Sequence, residues 1–176
     1  MKRKTSLLAL GALVLYTLLS TAEATISTEG GALQKRAEAG FASLKALAGD
    51  WEDKGRGATL TYQVISGGSA VMETHRPAGE PTMTSIYHLD GDRLVMTHYC
   101  SAGNQPRMES TVPAGEIRQL SFSYVSATNL AKTTDGHIHS VQLSFPDGDH
   151  LTVVWTWREG SDDSRTTFQF VRKAGR

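Results

Sequence analysis

The chain reads as an all-β protein: a closed up-and-down antiparallel barrel of about ten strands, with a short N-terminal helix capping one end. Three observations predict this. Apolar residues keep three- and four-residue spacing only as far as Gly49, and from Trp51 onward they alternate with polar ones. Gly, Pro and Asp turn signals then recur about every 8 to 14 residues, the interval of an antiparallel sheet. Finally, a meander of about ten strands joined by tight turns would leave its two end strands as exposed edges unless the sheet closes on itself.

The first segment reads as an address rather than as structure. Lys2, Arg3 and Lys4 precede an apolar run over 7–19, and Ala22-Glu23-Ala24 has the small-x-small pattern at which a signal peptidase cuts. Residues 1–24 are therefore expected to be a signal peptide. The mature protein is placed in the periplasm or the extracellular medium. Removing 24 of the 176 residues leaves 152, enough for one domain that buries about two-thirds of its unfolded surface. The apolar run is shorter than the roughly 20 residues a spanning helix needs, so no transmembrane segment is expected in the mature protein. The whole chain carries 18 basic and 18 acidic residues; without Lys2, Arg3, Lys4 and Glu23 the counts are 15 and 17. A slightly negative surface excludes nucleic acid as an expected partner.

Residues 25–31 are small and polar and read as a flexible start, which leaves 32–176 as a single barrel domain. Leu33, Ala37, Phe41, Leu44 and Ala48 then mark one face of a helix that Gly40 weakens by about 1 kcal/mol. The alternation predicts strands over 51–56, 58–65, 69–76, 82–89, 92–100, 106–112, 117–125, 137–145, 151–157 and 165–172. Between them stand Gly67-Gly68, Pro77 to Pro81, Asp90-Gly91, Ser101 to Gln105, Pro113 to Glu116, Ser126 to Gly136, Pro146 to Asp149 and Glu159 to Asp163. Ten strands joined mainly by tight turns form a meander. Closing it on itself removes both edges and leaves room for a cavity.

Register decides which side chains meet inside. A two-residue turn at Asp90-Gly91 pairs Tyr87 with Leu94 and Ser85 with Met96, and puts His98 and Cys100 on the same face. A three-residue loop there would exchange His88 and His98. A five-residue connection from Pro146 to His150 pairs Leu143 with Val153, Val141 with Trp155 and His139 with Trp157. On this reading His98, His137, His139, Cys100, Tyr87, Trp155 and Trp157 line the interior beside Leu60, Tyr62, Phe122, Phe168 and Phe170. His75, His88 and His150 fall on the opposite parity.

The Gly49-Asp50-Trp51 triplet, opening the first strand just after a short helix, resembles the start of lipocalins and related calycins. With a signal peptide, a closing helix and about ten strands, the chain looks more like the fatty-acid-binding and nitrobindin-like barrels than the eight-stranded lipocalins. The stretch Tyr87-His88-Leu89-Asp90-Gly91-Asp92-Arg93-Leu94-Val95-Met96-Thr97-His98-Tyr99-Cys100, continuing through Gly103-Asn104-Gln105-Pro106-Arg107, is similar to a family of bacterial calycin-like proteins of unknown function. That resemblance covers roughly residues 41–171 and implies a barrel with a central cavity. Nitrobindin-like barrels hold haem through a histidine near the C-terminal end, and this chain has no histidine after His150. No cofactor is therefore expected.

The interior residues suggest chemistry of three kinds. Two imidazoles at His137 and His139, with His98 from another strand and Cys100 as a fourth donor, could hold Zn²⁺ with an open position for water. Cys100 beside His98 reads either as an activated thiolate or as a small buried hydrophobe. Asn104, Gln105 and Arg107, in a polar connection at the barrel mouth, suit an anionic or carbonyl-bearing ligand or simply satisfy a turn. Asp90-Gly91-Asp92 and Asp147-Gly148-Asp149 read as hairpin turns rather than calcium loops. The reading that joins these features is a barrel binding a small hydrophobic or amphipathic molecule, lined by Tyr87, His98, Cys100, Asn104, Arg107, His139, Trp155 and Trp157. The alternatives are a metal- or haem-dependent enzyme using His98, His137 and His139, and an envelope interaction protein whose barrel is filled by its own core.

Overall fold

A computed structural model describes residues 30–174. The expected signal peptide lies outside the described residues, as does most of the expected flexible start. Helix α1 spans residues 30–46 and is followed by ten strands: β1 Gly49–Asp53, β2 Ala58–Ile65, β3 Ala70–Arg76, β4 Met83–Asp90, β5 Arg93–Tyr99, β6 Gln105–Ser110, β7 Gln119–Thr128, β8 His137–Ser144, β9 His150–Glu159 and β10 Asp162–Arg172. Every strand is antiparallel to its neighbours in sequence, and β1 pairs with β10 to close the barrel. All ten expected strands are present, because the alternation that marks them is local to each segment.

The inner face of the barrel carries the core. Leu60 and Tyr62 of β2, Val71 of β3, Tyr87 of β4, Leu94 and Met96 of β5, Met108 of β6 and Phe122 of β7 are all fully buried. Val141, Leu143, Leu151, Val153 and Phe170 complete the ring from the other side. Helix α1 lies across one end, burying Ala37, Phe41, Leu44 and Leu47. Leu33 and Ala48, expected on the same face, are exposed: Leu33 lies in the first turns of the helix and Ala48 falls after its end. Gly40 sits at the closest approach: a Cβ there would stand 2.8 Å from Val112 Cγ2 and 3.2 Å from Leu94 Cδ2. The glycine that weakens the helix is what lets it seat.

The two hairpins read from the sequence come out differently. In β4–β5 the faces are as expected, but the ladder is displaced by two residues: Tyr87 pairs with Met96, Ser85 with His98 and Asp90 with Arg93. The loop is therefore Gly91-Asp92. Gly91 takes a φ of +63° at the first loop position, which glycine adopts without strain. Asp90 remains on the ladder, where its carboxylate accepts from Arg93 at 2.6 Å and Arg107 at 3.1 Å. In β8–β9, Leu143 pairs with Val153 and Val141 with Trp155 as expected. Beyond them a bulge intervenes between Ile138 and Ser140, so Trp157 meets Ile138 instead of His139. From there on the parity of β8 is reversed.

Candidate functional site

At the end of the barrel opposite α1 lies a cavity of about 210 Å³. Strands β3, β4, β5, β8, β9 and β10 contribute its wall: His75, Met83, His98, Ile138, Trp155, Trp157, Thr166 and Phe168. Pro77 and Glu80 from the β3–β4 connection, with Cys100 and Ser101 from the β5–β6 connection, form its mouth. Four of the residues expected to bind a ligand, His98, Cys100, Trp155 and Trp157, thus share one cavity. They do so because β5 and β9 each keep strict alternation up to this end. Gly136 makes the approach of Trp157 possible, since a Cβ at this position would lie 2.2 Å from the indole.

The wall also contains His75, which the sequence reading put on the outer face. Cross-strand pairing of Leu60 with His75 and Tyr62 with Glu73 turns both of these β3 side chains inward. The His75 ring meets Phe168 edge-on at 4.7 Å between centroids and lies parallel to Trp155 at 6.4 Å. Among the described residues neither of its nitrogens has a hydrogen-bond partner. Burial alone pushes its pKa down to about 4. His98 packs on Trp155 at 4.8 Å, and its Nδ1 meets Ser85 Oγ at 3.0 Å, while its Nε2 is buried and unpartnered. Its pKa also falls to about 4, through burial first and the neighbouring His75 second.

Deeper in the barrel, Tyr87 belongs to a separate polar cluster. The hydroxyls of Tyr62 and Tyr87 each donate to Glu73 Oε2 at 2.7 Å. Burial raises the Glu73 pKa, opposed by these two hydrogen bonds, and it raises both tyrosines well above their ordinary value. The cluster braces the floor under the cavity.

The other expected ligand residues stand off the cavity wall. Asn104 is buried, but its Nδ2 donates to the Gly136 carbonyl at 2.9 Å, which ties two connections at the mouth together. Arg107 pairs with Asp90 and borders a groove with Thr97, Tyr99, Gln105, Ser126 and Thr128, because odd-numbered positions of β6 face outward. His139 sits at the bulge, where Arg158 donates to its Nε2 at 2.7 Å. Its Nδ1 lies 3.3 Å from His137 Nε2, and His137 Nδ1 is 2.8 Å from the Asp135 carbonyl. Tyr124 packs over both rings, at 4.5 Å from His137 and 5.3 Å from His139.

A 3.3 Å separation of two imidazole nitrogens suits either a shared metal ion or a hydrogen bond. Arg158 decides between them. A guanidinium can only donate, so His139 Nε2 must carry a lone pair and the proton must sit on Nδ1. That proton points to His137 Nε2, whose own proton then sits on Nδ1 and is donated to Asp135. The chain is complete with both rings neutral, and Arg158 is anchored in turn by paired hydrogen bonds to Asp163 at 2.7 and 2.8 Å. His98 is not part of it. Among the described residues no three His, Cys, Asp or Glu side chains converge as a metal site. The expected trio of His98, His137 and His139 is split between the cavity and the rim by the bulge.

Asp147 Oδ1 accepts from the backbone N–H groups of Asp149 and His150 at 2.8 Å each, as a hairpin turn requires. No described helix is long and apolar enough to cross a membrane. No model of a known protein family matches the chain, and no curated protein matches it either.

Proposed function

We propose that the chain is an exported, calycin-like barrel that binds a small, mostly apolar molecule in the cavity at the end opposite α1. Its compartment is the periplasm or the extracellular medium, after cleavage near Ala24. The observation that carries the reading is a pocket of about 210 Å³ walled by Trp155, Trp157, Phe168, Ile138 and Met83, with two imidazoles set among them. Sites for drug-sized ligands occupy roughly 300–1,000 Å³, so this one suits a molecule of one or two rings rather than a porphyrin. The Gly49-x-Trp51 opening, the helix over one end and the ten-strand closure support the calycin-like part of the reading. The enzyme alternative loses its proposed centre, since His98 and the His137–His139 pair occupy different places.

Cys100 provides a reporter at the mouth. Apolar aromatic probes are expected to slow its alkylation saturably and to quench Trp155 and Trp157 over the same concentration range. An alkylation rate and a tryptophan emission that no aromatic probe alters up to its solubility limit would refute cavity binding. Export is checked separately, by mass spectrometry of the protein recovered outside the cytoplasm, with an N-terminus expected at Thr25.

A further inference from the structure

The chemistry of the wall narrows what the cavity holds. His75 and His98 are 2% and 1% exposed, and three of their four ring nitrogens are buried without a hydrogen-bond partner. A buried polar group left unpaired forfeits the hydrogen bonds it made to water, and a hydrocarbon ligand would restore none of them. A ligand that can donate or accept a hydrogen bond would. Because His75 makes no hydrogen bond, turning its ring toward a bound group gives none up. His98 makes one hydrogen bond, between its Nδ1 and Ser85 Oγ at 3.0 Å, which leaves the buried Nε2 as its unpaired edge.

The charge of that group is limited by the rest of the lining. The cavity wall contains no lysine or arginine, and its one carboxylate is Glu80 at the mouth. Both imidazoles titrate near pH 4 and are neutral at neutral pH. A carboxylate or phosphate would therefore leave water for a lining that holds no cation, Arg56 standing behind it at 5.2 Å from the Phe168 ring, and would pass the Glu80 carboxylate at the mouth. A quaternary ammonium would find aromatic faces, but it has no proton or lone pair to offer the imidazoles. A hydroxyl is both donor and acceptor and pairs with a neutral imidazole in either tautomer.

We propose, resting on the cavity-binding reading above, that the ligand is a neutral hydroxylated aromatic molecule of one or two rings, its hydroxyl on His75 or His98 and its ring against Trp155 and Trp157. It is thus of the phenol or naphthol class, as distinct from a plain hydrocarbon, an aromatic carboxylate or an aryl ammonium.

The test is a matched series on the wild-type protein at pH 7: 2-naphthol, naphthalene, 2-naphthoate and trimethyl-2-naphthylammonium, titrated by calorimetry with Cys100 alkylation as a second readout. 2-Naphthol is expected to bind at least tenfold more tightly than each of the other three. In His75→Phe and His98→Phe, checked for folding by circular dichroism, at least one variant should narrow the naphthol-to-naphthalene ratio below threefold while naphthalene still binds. Equal binding of naphthol and naphthalene to the wild type would overturn the inference and leave cavity binding intact, as would tighter binding of the carboxylate or the ammonium. If none of the four binds, both readings fall.

Discussion

Glu73 is the residue around which the interior is organised. It is a fully buried carboxyl whose Oε2 accepts from two tyrosines while Oε1 has no partner. Tyr87→Phe removes one bond and is expected to cost about 1–2 kcal/mol in urea unfolding. Glu73→Ala strands both hydroxyls and opens a cavity, so it should cost clearly more, about 3–5 kcal/mol. The two cavity histidines set the pH response. Each has a folded pKa of about 4, below the ordinary 6.5, so the folded state stays neutral while the unfolded chain takes up protons. Their contribution to stability is therefore constant above pH 6.5, falls as pH drops from about 6.5 to 4, and levels off below. The limiting loss is about 3 kcal/mol for each histidine. Glu73 acts in the opposite sense: with its folded pKa raised, its contribution is present at low pH and is lost as pH rises. Urea midpoints at pH 7 and pH 5 should show a net fall for the wild type and a smaller fall for His75→Phe.

Among the elements, α1 and β8 carry the departures from simple patterning. Exposed helical glycines usually gain about 1 kcal/mol on replacement by alanine. Gly40→Ala is expected to lose stability instead, by about 1–3 kcal/mol, because its methyl group would meet Val112 at 2.8 Å. Thermal unfolding decides the sign, and Gly40→Ala with Val112→Ala should recover part of the loss. In β8 the bulge at His139 turns Ile138 toward Trp157 and sends the histidine pair to Arg158 and Tyr124. The same extra residue that removes a metal site from the interior makes the cavity wall apolar there.

For the molecule as a whole, closure depends on residues far apart in sequence. Trp51 of β1 is fully buried, its indole N–H donates to the Leu47 carbonyl at 2.9 Å, and it pairs across the seam with Arg172 of β10. The Arg172 guanidinium lies 4.2 Å from the Trp51 ring centroid. It also donates to the carbonyls of Ala46, Ala48 and Gly148 at 3.1, 2.8 and 2.7 Å, which satisfies the C-terminal end of α1. One side chain thus ties helix, seam and the β8–β9 turn together. Arg172→Ala is expected to cost about 2–4 kcal/mol in chemical unfolding. Arg172→Lys should recover little, since an ammonium cannot span three carbonyls and stack on an indole together.

Much of this was legible in the chain. The ten strands and the shared face of His98 with Cys100, and of Trp155 with Trp157, follow from alternation within single segments, a property each segment carries alone; that the two pairs meet follows from closure of the meander. What the segments could not carry was parity where both faces are mixed. In β3, Val71, Glu73 and His75 alternate with Ala70, Met72 and Thr74, so hydrophobicity does not say which set is inside; pairing with Leu60 and Tyr62 does. Nor could β8 announce its bulge, because an extra residue is accommodated only against the ladders on either side. By itself the sequence determined an all-β meander with one helix ahead of it, since backbone periodicity is a local matter. Only the tertiary structure decided that His75 joins His98 in the cavity while His137 and His139 leave it, since a side chain's face is settled by the strands it pairs with.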